Sequence, residues 1–275
     1  MEHCLNCGQE LTAEDRFCPK CAQKAHTHRL TLAHFFHEFF HAFTHTDKGI
    51  LHLLKALALR PGTVAREYMA GKRKKYFNPF TFFLIIMGIF VFTGTVFRKS
   101  DIAVRPDEQV LRRIPSEEGR NQYVATMQRV ENVRNFTNKH GNVIAMVAIP
   151  FLSLLTWLFF RRKGYNYAEH LTANMLFITF SNLLFALLVF PLAGILKGTA
   201  GLGILYLAAF VVQALYLSWG LNGFLLLNTA GERMRSLAVS FSGIILWVLF
   251  SQLVFAVYIY QNLNFPQYFT RMFGQ

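Results

Sequence analysis

Five stretches of this chain are apolar, almost free of charge and long enough to cross a bilayer, and they restrict the fold more than any other feature. The first runs from about Pro79 to Phe97 and reads PFTFFLIIMGIFVFTGTVF. The second, about Asn142 to Phe160, is closed by Arg161-Arg162-Lys163. Three more follow at about Leu171–Leu196, Leu202–Leu227 and Leu237–Tyr260, with short connectors between them. Hydrocarbon offers no hydrogen-bond partners, so a spanning segment must satisfy its own backbone, and a helix does so. The expected fold is an all-α integral membrane protein of about five transmembrane helices. Only 16% of the residues are charged. Soluble domains carry roughly a quarter, so the deficit supports the same reading.

Basic residues in short loops set the expected orientation. Lys72-Arg73-Lys74-Lys75 precedes the first span, Arg161, Arg162 and Lys163 follow the second, and Arg233 and Arg235 precede the fifth. With five spans, a cytosolic N-terminus puts all three clusters in the cytosol. The polar segment at about 98–141 and the C-terminus then lie on the extracytoplasmic side. The net charge of +13 is read as serving anionic lipid headgroups rather than nucleic acid, given these spans.

All four cysteines fall near the N-terminus, as Cys4-x-x-Cys7 and Cys18-x-x-Cys21. Two residues between thiolates let both sulfurs turn onto one metal, and two such knuckles complete a tetrahedral site. Gly8 suits the tight turn after the first knuckle because glycine accepts positive φ. The expectation is a Cys4 zinc ribbon over 1–25 holding structural Zn2+, with metal binding supplying most of its folding free energy. Two disulfides or a redox pair are the alternative. No apolar signal region precedes the cysteines, and reduced thiols fit a cytosolic location.

Residues 26–78 read as cytosolic interfacial amphipathic helices, followed by the membrane domain over 79–275. In TLAHFFHEFFHAFTH, His34, His37, His41 and His45 would share one helical stripe, with phenylalanines around the rest of the circumference. The expected role is a polar face at the membrane surface. The alternative is a second metal site, since such spacings allow chelation from one face. Two further short helices are expected at Ile50–Leu59 and Thr63–Ala70, separated by a stop at Arg60-Pro61-Gly62 and closed by Gly71. Lys72, Arg73, Lys74 and Lys75 form a juxtamembrane anchor expected to bind anionic lipid.

Cys4-Leu5-Asn6-Cys7-Gly8 with Phe17-Cys18-Pro19-Lys20-Cys21 opens an ordered set of motifs: His37-Glu38-Phe39-Phe40, Asp47-Lys48-Gly49, Arg60-Pro61-Gly62, Arg66-Glu67-Tyr68, Gly71-Lys72-Arg73 and Pro79. In these the chain resembles a bacterial family of zinc-ribbon multi-pass membrane proteins, domain-of-unknown-function family 3667. The resemblance implies a bacterial inner (cytoplasmic) membrane and brings no activity with it.

Within these bounds the spans hold no Asp, Glu, Lys, Arg or His, which argues against a proton-coupled pump. Their polar residues, among them Asn174, Ser181, Asn182, Gln213, Asn222, Ser240, Ser242, Ser251 and Gln252, are expected to hydrogen-bond between helices. No nucleotide loop, nucleophile elbow or paired catalytic carboxylate is present in the sequence. The expected function is a non-enzymatic membrane adaptor whose ribbon and basic helices bind a partner protein or anionic lipid. A transporter or export component, and a histidine-metal membrane enzyme, are the alternatives.

Overall fold

The computed structural model describes residues 2–25, 31, 49–97 and 106–261. Within them a two-stranded hairpin, β1 (Glu2–His3) and β2 (Glu10–Leu11), precedes an otherwise helical chain. Two short helices, α1 (Ile50–Leu59) and α2 (Pro61–Met69), lead to the first long one, α3 (Pro79–Phe97). Then come α4 (Glu108–Arg113), α5 (Glu117–Phe160), α6 (Tyr167–Leu184), a π-helical turn (Phe185–Val189) and α7 (Phe190–Ile195). Helices α8 (Gly201–Phe224) and α9 (Ala230–Tyr260) complete the bundle. Five helical segments are long and apolar enough to cross a membrane: Arg73–Phe97, Lys139–Lys163, Tyr167–Ile195, Gly201–Phe224 and Ala230–Tyr260.

Local chemistry explains where the long helices start. Asn78 Oδ1 accepts from the N–H groups of Phe80 and Thr81, and Pro79 occupies the first turn where its missing N–H costs nothing. Helices α6 and α9 each open on a full capping box, Asn166 with Glu169 and Thr229 with Glu232. Pro191 cannot donate within the helix, and a π-helical turn just before it carries the third span onward without a break.

The structure adds elements in one segment and corrects two boundaries. First, the polar stretch at 98–141, for which the sequence named no element, is largely helical where described: α4 is capped by Asp107, and α5 by Ser116. At 44 residues, α5 is about 66 Å long, roughly twice the hydrocarbon core. It kinks at His140, where the candidate span begins. Second, the third span starts at Tyr167 rather than Leu171, so Glu169 and His170 lie inside it and are buried. A boundary at Leu171 leaves out the very residues that make the span ionisable. Third, Pro61 begins α2 instead of only stopping α1.

Helices α1 and α2 do not merely lie on a surface. Leu53, Leu57, Val64, Ala65 and Tyr68 are buried in the same core as the long helices. The tightest approach is between α2 and α8. A methyl group at Gly62 would fall 2.4 Å from Gly223 Cα and 2.5 Å from the Gly220 carbonyl oxygen. Arg66 Nη1 then donates to the Gly223 carbonyl at 2.8 Å, and Tyr216 OH donates to the Leu57 carbonyl at 3.1 Å. Glycines permit this backbone contact, as small residues do between helices in lipid.

These contacts gather the three basic clusters at one end of the bundle. Lys163 pairs with Glu232, Arg235 lies over the rings of Phe159 and Phe160, and Phe224 packs on Tyr165 and His170. The opposite end holds the N-terminal half of α5, where Arg129 donates to the Ile259 carbonyl at the end of α9.

Between α5 and α6 runs a buried polar cluster. Asn174 Nδ2 donates to Thr156 Oγ1 at 2.8 Å and approaches Ser153 Oγ at 3.3 Å, and His170 Nδ1 lies 3.2 Å from Thr156 Oγ1. Asn174 thus bonds between helices, whereas Ser181 bonds back to its own helix at the Phe177 carbonyl. Gly62→Ala should destabilise the protein by about 1–3 kcal/mol, the usual cost of overpacking. Gly88, with open space around it, should accept alanine with little change. Thermal unfolding followed by circular dichroism in detergent compares the two.

Candidate metal centre

The ribbon is built from two knuckles of like geometry. In the first, Cys4 N–H donates to the Gln9 carbonyl and Gly8 N–H returns to the Cys4 carbonyl, both at 2.8 Å. In the second, Cys18 N–H donates to the Gln23 carbonyl at 2.7 Å and Ala22 N–H to the Cys18 carbonyl at 2.8 Å. Gly8 has φ +76° as its position demands. Ala22 takes the equivalent place at φ 56°, a conformation that strains a residue with a Cβ. Between the knuckles, Asp15 accepts from the Thr12 N–H and hydroxyl, which hold its carboxyl below the usual range.

The four sulfurs lie within 4.8 Å of one another. Cys4 Sγ is 3.6 Å from Cys21 Sγ, and Cys7 Sγ is 3.6 Å from Cys18 Sγ. A disulfide needs about 2.05 Å, and all four cysteines are free. A tetrahedral site with bonds of about 2.3 Å has edges of about 3.8 Å, close to what is seen. The donor set therefore fits a single thiophilic ion with no open coordination position. Crowding spreads charge unevenly. Burial opposes ionisation of Cys21, but hydrogen bonds from the Asn6 side chain, the Gln23 backbone and neighbouring thiols bring it down to about 6. Cys7, although the Gln9 backbone favours its thiolate, is pushed up to about 12 by burial and the adjacent thiols. A cation among the sulfurs removes that conflict.

The ribbon rests on the turn that enters the first span. Gly71, at φ +97°, closes α2, with Lys72 N–H donating to the Glu67 carbonyl. A single 3₁₀ turn, Arg73–Lys75, follows. The Gln23 side chain, only 4% exposed, donates to the Gly71 carbonyl at 2.5 Å and accepts from Lys74 N–H at 3.2 Å.

The basic run is not four free cations. Glu67 accepts from Lys75 Nζ at 2.6 Å and Tyr76 OH at 2.5 Å, with Lys72 Nζ 3.6 Å away. Burial alone would raise the Glu67 carboxyl, but these hydrogen bonds and charges outweigh it and hold it at about 2. Sequence reading missed Glu67 as their partner, although an acid eight residues before Lys75, across a helix end, was available as a signal. His34, His37, His41 and His45 lie outside the described residues. The only cluster of metal-ligating side chains among the described residues is the cysteine set.

Two outcomes follow. Purified protein should carry one equivalent of bound metal per chain, lost when all four cysteines become serine, by elemental analysis. The depressed Glu67 carboxyl stabilises the fold fully above about pH 4.5, and that contribution vanishes as pH falls through about 2. Glu67→Gln should therefore lower stability near neutrality by about 2 kcal/mol and flatten the loss on acidification. Unfolding midpoints between pH 7 and pH 2 check it.

Comparison with known proteins comes to the same two parts. Residues 3–24 match the zinc-ribbon domain, and residues 47–91 match a family described as a protein of unknown function, DUF3667. No curated protein and no solved structure matches the chain. In family terms, the chain is similar to a zinc-ribbon domain at its N-terminus and to DUF3667 from the short helices into the first span.

Proposed function

We propose that the protein is a non-enzymatic membrane adaptor, and that its ribbon, held by structural Zn2+, recruits a partner protein to the membrane surface. The bundle end bearing the ribbon and the basic clusters faces the cytosol of a bacterial inner membrane, by the asymmetry of charged loops. The C-terminus then lies on the far side.

One observation carries the reading. Leu5, in the first knuckle, is 49% exposed, and Phe17, beside the second, is 55% exposed. The ribbon's own core comprises little more than Cys4, Leu11 and Cys18. A domain so poor in apolar residues gains by burying every one it has, yet these two large side chains stay in water. Exposed apolar side chains on a rigid, metal-held frame suit docking to another surface. Anionic lipid remains a companion ligand for the basic turn, with Lys74 exposed and Lys72 and Lys75 shared with Glu67. The closed donor set speaks for a structural ion, because four thiolates leave no position for a substrate.

Leu5→Ser with Phe17→Ser should keep one bound metal per chain and full membrane insertion. It should weaken capture of any partner recovered with the wild type at least tenfold, measured by crosslinking and mass spectrometry. A partner retained equally by this variant and by a chain lacking residues 1–25 would sink the adaptor reading.

A further inference from the structure

We infer that the ribbon is a metal-set clasp on the turn that leads into the first span. With its ion bound it pins that turn through Gln23, and loss of the ion frees it. The inference goes beyond the adaptor reading and holds whichever partner the ribbon recruits.

Gln23 belongs to both structures at once. Its backbone carbonyl accepts the Cys18 N–H at 2.7 Å, and its backbone N–H supports the Cys21 thiolate. The same residue therefore completes the second knuckle around two of the four ligands. Its side chain turns the other way and uses both ends of the amide. Nε2 reaches the Gly71 carbonyl and Oε1 takes the Lys74 N–H. Both partners are main-chain groups at a helix end, where the regular ladder has run out.

What positions Gln23 is the metal. Cys4, Leu11 and Cys18 make too small a core to hold a knuckle in place, so without the ion the ribbon has little to keep it folded. Strain at Ala22, the residue between Cys21 and Gln23, would also be released once the thiolates are no longer tied together. The turn itself keeps a second anchor, since Glu67 grips Lys75 and Tyr76 from the α2 side. Metal loss thus loosens the entry to the first span and leaves its helices in place. Coupling of this kind is reciprocal. If the ion steadies the turn, the turn must steady the ion by the same factor.

The test uses the full chain in nanodiscs. Hydrogen exchange across residues 71–76 is followed by mass spectrometry, and metal release is timed with the chromogenic chelator 4-(2-pyridylazo)resorcinol. Stripping the ion should speed exchange of this turn about tenfold while the core of α6 stays protected. Gln23→Ala should speed both turn exchange and metal release, each about fivefold or more. If Gln23→Ala cannot hold metal at all, Glu67→Gln serves instead, because it loosens the turn and leaves every ribbon residue native. Faster metal release in that variant supports the clasp. Turn exchange that ignores metal removal, or metal release that ignores a loosened turn, overturns it. Partner capture enters neither readout, so the clasp and the adaptor reading fail separately.

Discussion

The backbone contact between α2 and α8 is the interaction on which the ribbon end of the molecule depends. Gly62 sits against Gly220 and Gly223 with no room for a methyl group, and Arg66 fixes the register by capping the Gly223 carbonyl. From that contact α1 and α2 become part of the bundle's core instead of a surface attachment. Glu67, one residue beyond Arg66, is then held where it can gather Lys72, Lys75 and Tyr76. The turn that results presents the Gly71 carbonyl and the Lys74 N–H to Gln23. Ribbon, basic turn and first span are thus linked by successive short-range contacts, each resting on the one before. In lipid, where burying apolar surface gives helices no reason to associate, close packing and hydrogen bonds of this kind must do so.

Much of this was readable from residues alone, and for identifiable reasons. The bounds of α3 coincide with the apolar stretch because charge and Asn-Pro punctuate both of its ends. Helix α1 is legible from its apolar run and from Pro61. The ribbon follows from cysteine spacing, since ligand geometry leaves two knuckles few ways to meet.

What escaped the sequence reading is long-range or depends on a partner. Gly62 looks like a helix breaker, and only the neighbouring Gly220 and Gly223 turn it into a contact surface. Hydropathy alone starts the third span at Leu171, after the last charged residue, and so leaves His170 outside it. Burial against Thr156 and Phe224 draws the boundary earlier. Helicity beyond the membrane at α5 hides in a polar composition, although Ser116 followed by two glutamates was a usable start signal. Gln23 carries no motif at all. Its role exists only because two segments 48 residues apart meet.

The π-helical turn before Pro191 divides the bundle in a further sense. It adds a residue to one turn of the third span and so rotates everything after it relative to α6. The stripe formed by His170, Asn174 and Ser181 consequently ends there, and none of the polar residues of that face recurs in α7. On the ribbon side, α5 and α6 are joined by directional bonds, Asn174 to Thr156 above all. Past the turn, α7 meets α3 through rings, with Phe90 and Phe190 at 4.9 Å. Directional bonds hold one register, whereas ring faces can slide over one another at little cost. The third span is therefore held in two mechanically unlike ways: keyed by side-chain hydrogen bonds to α5 before the π-helical turn, and packed ring against ring on α3 after it.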